Sequence, residues 1–254
     1  MRKLSAIFIS MLLSIFALCQ GENKPLIVLT SADNPPYEFV SSGAVVGFDI
    51  DLINLVAKRL NRQCDIRDMP FPSLIPALRA KQGDVAIAAI TPTDLRRKSL
   101  DFSIPYQNNV SALIIVKTED FNNVAEGAYF PLELLKKRTV GVQFGTHHES
   151  DIKEVAMEGI TIRRYDSVSN LVAEMEKSAR GVGLLYGIIV GVPEAKAIVK
   201  QSKNLTFYRL KFEDSFAIAL PKDSPLREDV NRVIESLGKE GKIAEFEKKW
   251  DIFK

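Results

Sequence analysis

The chain has 254 residues, 46% of them hydrophobic and 26% charged, a balance that excludes a disordered chain and suits one large core or two modest ones. Basic and acidic residues nearly cancel, 34 against 32, so the sequence carries no electrostatic footprint for a nucleic acid. There are two cysteines, and with Cys19 at the end of a leader, Cys64 remains as a packed free thiol and no disulfide framework can form.

Residues 1–19 read as an export signal. Arg2 and Lys3 precede an apolar run from Ala6 to Leu18, too short for a mature membrane span, and Cys19 follows. A lipoprotein site wants a small residue before the cysteine, where Leu18 stands. Lipidation at Cys19 is the expectation, with a plain signal peptide cut a few residues later as the alternative.

From Lys24 the chain alternates strand and helix. Residues 25–30 read as a buried strand and "NPPYEF" (34–39) as an extended loop, since neither Pro35 nor Pro36 can continue a ladder. Residues 47–61 have the period of an amphipathic helix. A strand at 63–69, a helix over 71–83 closed by Gly83 and a strand at 84–90 complete a β-α-β-α-β order. After Tyr106 the run "SALIIVKT" (111–118) reads as a long strand, residues 117–130 read as a surface loop, and a second set begins. It places helices at 132–138, 146–158 and 167–181 and strands at 139–145, 160–166 and 182–187. A strand at 215–220, a helix started by Pro225 after Ser224 and a terminal helix ending near Trp250 close the chain. Two α/β units of about 100 residues each are implied.

The stretch "ITPTDLRRK" (90–98) stands where ligands collect in an open α/β sheet, at the carboxyl end of a strand. Thr93 with Asp94 makes a helix N-cap, which puts Leu95, Arg96 and Arg97 in the first turn. Arginines at a positive helix end are the wrong sign for helix stability. They are the right sign for an anion. A carboxylate here could take a bidentate bond from Arg96 and further bonds from the amide and hydroxyl of Thr91; the alternative is a simple cap with solvated arginines.

"NPPYEF…VVGFDIDLINLVAKRL", "FPSLIPALRAKQGDVAIAAITPTDLRRKSLDFSIPY", "VGVQFGT" and "FAIALPKDSPLREDVNRVIESLGKEGKIAEFEKKW" resemble the family 3 extracellular solute-binding proteins, the polar amino-acid-binding proteins of bacterial ABC importers. The resemblance implies an α/β, two-lobed periplasmic-binding-protein fold, each lobe an open mostly parallel sheet flanked by helices, the lobes joined by a two-strand hinge. Residues 24–110 and 213–254 would form lobe 1 and residues 111–212 lobe 2. It also implies a polar amino acid captured between the lobes by hinge closure and delivered to an ABC permease of the inner membrane. The protein would be a periplasmic monomer, lipid-anchored through Cys19, with no cofactor, no metal and no catalysis.

Carried over by residue, Arg96 matches the family arginine that clasps the α-carboxylate, and Thr91 the hydroxyl residue beside it. Ala89 matches a position supplying backbone groups, and Phe71 an apolar wall. Gly145 and Thr146 match a second-lobe helix start whose amides close on the same carboxylate, with His147 where many relatives have Thr or Ser and Gln143 counted among the ligand-binding residues. Ser31 and Asn34 replace an acid and an aromatic of the first loop. The family aspartate that holds the α-ammonium, at the end of a second-lobe strand, aligns with Gly187. The ammonium would then be weakly held, or reached by a substitute acid such as Asp33 or Glu149, or absent from the cargo. Glu38 and Asp33 could meet a basic side chain.

Other readings carry less. His147, His148 and Glu149 lack a third metal ligand at useful spacing, and "GVGLLYG" misplaces its last glycine for a dinucleotide fingerprint. The competing class is a periplasmic cyclohexadienyl-type dehydratase on the same fold, which needs an acid aimed at the leaving hydroxyl; a glycine at 187 argues against it.

Overall fold

The structure, a computed structural model, describes residues 24–116, 127–154 and 159–252. The leader with Cys19, and residues 117–126 of the expected surface loop, lie outside them.

The apolar run Leu26–Thr30 forms β1, parallel to Cys64–Asp68 (β5) and to the short strand Val85–Ala86 (β6). Ala219–Pro221 (β13) lies antiparallel to both β6 and Leu100–Phe102 (β7), which gives the order β5-β1-β6-β13-β7. Helix α1, Phe48–Arg59, turns Phe48, Leu52, Ile53 and Val56 onto this sheet, and α7, Arg227–Lys239, adds Val230, Ile234 and Leu237 to the same core. Each such side chain, fully buried, contributes about 1.5–3 kcal/mol of transfer free energy. Asp49 sits on that apolar face of α1 and is fully buried. Helix α2, Phe71–Arg79, packs on the other face beside Leu29 and Ile90.

In a second sheet, Thr139–Gln143 (β9) is parallel to Thr161–Tyr165 (β10) and Gly187–Gly191 (β11); β11 is antiparallel to Gln107–Val116 (β8). Leu205–Phe216 (β12) pairs with β8 at the edge, completing the order β10-β9-β11-β8-β12. Helices α5, Val168–Ala179, and α6, Val192–Gln201, cover one face. The β8–β12 ladder runs from Gln107↔Phe216 to Val116↔Leu205, with a register shift between Arg209 and Glu213. Beyond its first end Tyr106 N–H donates to Phe216 O and Ala217 N–H to Ile90 O, so these two strands tie the sheets together.

Several expectations differ from the structure. "NPPYEF" is no simple loop: Asp33–Asn34 (β2), Glu38–Ser41 (β3) and Ala44–Val46 (β4) make a small antiparallel sheet, with both prolines kept in the turn. The helix expected at 132–138 is one 3-10 turn, Leu132–Leu135. The helix after Pro225 begins at Arg227. The strand expected at 182–187 is irregular; Val182 and Leu184 are exposed, and the strand is the next run, "GIIVG".

Candidate ligand-binding cleft

Thr93 caps α3, Asp94–Arg97, its Oγ1 accepting from Arg96 N–H at 3.3 Å. One turn suffices to separate two neighbouring arginines, because adjacent helical positions point about 100° apart. Arg97 stays exposed over the Phe102 ring, whereas Arg96 is buried. Arg96 Nη1 donates to Thr91 O at 2.6 Å and Nη2 to Gly145 O at 2.7 Å, while its guanidinium carbon lies 5.8 Å from the Phe71 ring centroid. Gly145 belongs to the turn after β9, on the other sheet, and has φ +82°, a conformation that favours glycine.

Arg96 thus spans a cleft whose walls come from both sheets. Across it lie the acids. Glu38, on β3, accepts from Asn34 Nδ2 at 3.1 Å through Oε1. Glu194, in the first turn of α6, is 5% exposed and also bonds Asn34. Glu194 Oε2 is buried with no donor to it among the described residues, whereas Glu38 also shares a carboxyl–carboxyl hydrogen bond with Asp49. Asp49 Oδ2 accepts from Ala89 N–H at 2.8 Å and from Tyr106 OH at 3.0 Å. Burial, with no cation among the described residues to offset it, pushes Glu194 up to about 7 and Asp49 to about 6. Burial and then the charge of Asp49 push Glu38 well above the ordinary carboxylate range. Asp33 is also raised by burial; its Oδ1 accepts from Ser31 Oγ and its Oδ2 from Val168 N–H at 3.0 Å, a bond between the two sheets' elements.

Of the residues singled out in the sequence, Asn34, Phe71, Ala89, Arg96, Gln143, Thr146 and His147 line the cleft together. Ser31 and Thr91 stand behind it: Ser31 steadies Asp33, and Thr91 meets Arg96 with its carbonyl rather than its hydroxyl. Gly145 offers Arg96 its carbonyl, and the Thr146 amide is turned to Gln143 O at 3.3 Å. Gly187 is misassigned. It opens β11 rather than ending it, paired with Ile115 and Val140, and a Cβ there would come within 2.8 Å of Ile114 O. The strand end that reaches the cleft is Gly191. The acid nearest in sequence is Glu194, which sequence reasoning missed along with the burial of Asp49. Glu149, the suggested substitute, bonds Arg164 and Lys153 on the surface, and these cations hold it at about 2.

A third donor does stand near the two histidines. Nitrogens of His147 and His148 and an oxygen of Asp151 lie within 4.8 Å of one another, Asp151 belonging to α4, His148–Glu154. Burial, then the charges of His147 and Arg96, depress His148 well below the usual imidazole range, and its Nδ1 is 3.3 Å from Ser111 Oγ. A dication would sit in the repulsive field of the Arg96 guanidinium, whose charge already acts on His148.

A buried guanidinium and buried acids lining one cleft between two tied α/β sheets mark a two-lobed small-molecule-binding protein. Residues 26–253 match the model of bacterial extracellular solute-binding proteins, family 3, and the chain belongs to that family. It is 31% identical over 236 residues to the arginine-binding extracellular protein ArtP of Bacillus subtilis (strain 168), covering 91% of this chain and 88% of that one. An ancestral arginine-binding protein solved with arginine is similar at 32% identity and TM-score 0.78, covering 91% of this chain and 99% of its own. The ancestral arginine-binding protein solved with glutamine matches at 33% and 0.79, with the same coverage.

Proposed function

We propose that this extracytoplasmic solute-binding protein captures an amino acid with a cationic side chain and delivers it to an ABC permease. The observation that carries the reading is the polarity of the cleft: its lining joins Arg96 with the buried acids Glu38 and Glu194, with no cation beside these two acids among the described residues. The α-carboxylate takes the Arg96 end by a charge-assisted bond. The relatives named as arginine-binding support a basic cargo. Residues 24–110 with 213–254 act as one lobe, 111–212 as the other, and β8 and β12 as the hinge, the lobes closing around a ligand that is bonded from both sides. Export by the leader, an anchor at Cys19, a monomeric state and a purely non-catalytic role complete the proposal. The dehydratase reading loses one objection, since Glu194 does put an acid in the cleft, yet the family and its relatives favour transport. Thermal shift against twenty amino acids tests the function, because a ligand selective for the folded state raises the melting temperature. Arginine, lysine or histidine should give the largest shift; a preference for acidic or apolar amino acids overturns the reading.

A further inference from the structure

The acid wall draws its parts from both sheets. Glu38 and Asn34 sit on the small sheet attached to α1, whereas Glu194 rides on α6 of the second sheet. One amide, that of Asn34, contacts both carboxyls. The Glu38 carboxyl also hydrogen-bonds that of Asp49, whereas Glu194 keeps one buried oxygen to which none of the described residues donates. A buried polar atom left without a partner costs roughly 1–3 kcal/mol, and α6 would not gain by holding a carboxyl there for packing alone. Its first turn already carries Pro193, and Ala195 packs as an apolar residue in the core.

We propose that Glu194 is the specificity-determining residue of the cleft: with Glu38 across the lobe boundary it forms a paired-carboxylate seat that selects a guanidinium over an uncharged side chain of the same shape. The proposal rests on the cationic-cargo reading above and names the residue that makes it so. A guanidinium suits the seat because its planar fork offers N–H donors along two edges, one for each carboxyl, where an ammonium offers a compact charge. Placing the seat across the boundary makes the cation itself a link between lobes, beside the Arg96–Gly145 and Asp33–Val168 bonds.

Loading also moves protons. Glu194 and Glu38 favour their protonated forms in the empty cleft, with Asp49, Tyr37 and Tyr106 buried against them and adding no cation; Arg96, His147 and His148 lie toward the carboxylate end. A guanidinium favours both ionised carboxylates, so its entry expels protons to solvent near pH 6.5.

The test is calorimetry of the wild type and Glu194→Gln with L-arginine and with L-citrulline, its uncharged counterpart. Titrations run at pH 6.5 in two buffers of different ionisation enthalpy to count protons. The expected result is a wild-type preference for arginine that falls at least tenfold in the variant, citrulline affinity changing less than threefold, and fewer protons released. Loss of arginine and citrulline binding in equal measure, or an unchanged proton count, assigns Glu194 a structural role and overturns the proposal. A variant that keeps the full arginine preference overturns it while leaving a cationic cargo standing. A wild type indifferent to the side-chain charge overturns the cargo reading itself, and the seat with it.

Discussion

Glu194→Gln should stabilise the empty protein, and only above acidic pH. An unfolded glutamate ionises near 4.5, whereas burial holds the folded carboxyl at about 7. Between those values the unfolded state binds fewer protons, so the glutamate lowers stability progressively as pH rises, and its effect levels off above about 7. The difference of about 2.5 pH units corresponds to an upper figure of about 3 kcal/mol at 1.36 kcal/mol per unit. Part of that arises from the charge of Asp49, which itself titrates at about 6, and the new amide must itself find partners. A gain of about 1–2 kcal/mol at pH 8 is therefore expected, shrinking to nothing or slightly reversed at pH 4.

Urea unfolding of both proteins at pH 4, 6 and 8 measures this directly. Taking the difference between proteins at each pH cancels groups common to both, His148 among them, whose depressed pKa works in the opposite sense by favouring the folded state as pH rises through the imidazole range. A variant less stable by the same amount at every pH would refute the reasoning, since it would mean that Glu194 is a satisfied structural group and not an uncompensated acid.

Arg96→Ala should lower cargo affinity by about 2–4 kcal/mol in calorimetry, because the cargo carboxylate is left enclosed and unpaired; Arg97→Ala, whose side chain is exposed, should change it by less than about 0.5 kcal/mol. Gly187→Ala should destabilise the fold by about 1–3 kcal/mol in a denaturant melt, since its Cβ meets a backbone oxygen and packed side chains inside 3 Å, with cargo affinity per folded molecule unchanged. Small-angle scattering should show a smaller radius of gyration on saturation with the right amino acid, and no change with a ligand proven to bind would count against a hinge.

The Arg96 end of the cleft was legible because its determinants are local. Thr93 caps its own helix, the cap fixes the turn, and the turn alone decides that Arg96 points in and Arg97 out. The acid end was not, for two different reasons. Val182 and Leu184 carry the apolar pattern of a strand but lie on the surface, and taking them for the strand moved its end from Gly191 back to Gly187. "GVPEA" held the corrective signal: a glycine N-cap with proline in the first turn marks where α6 begins, and hence where β11 stops. Asp49 was readable by period, since it shares a face with Leu52, Ile53 and Val56. Glu38 was named only beside Asp33 as an acid that could meet a basic side chain; its full burial had no local cue, because it depends on segments arriving from elsewhere in the chain.

The two ends of the cleft also differ in what an arriving ligand changes. Arg96 is already bonded to two carbonyl oxygens, so its charge is held in place and meets any amino acid's carboxylate on nearly equal terms. Interactions common to all candidate ligands raise affinity without separating them. At the acid end the empty protein bears a burial cost that only a cation relieves, and an uncharged side chain of the same length leaves it in place. The proposed seat therefore places discrimination between amino acids mainly at Glu38 and Glu194. A sequence change there should alter which amino acid is carried, whereas a change at Arg96 should weaken all of them alike.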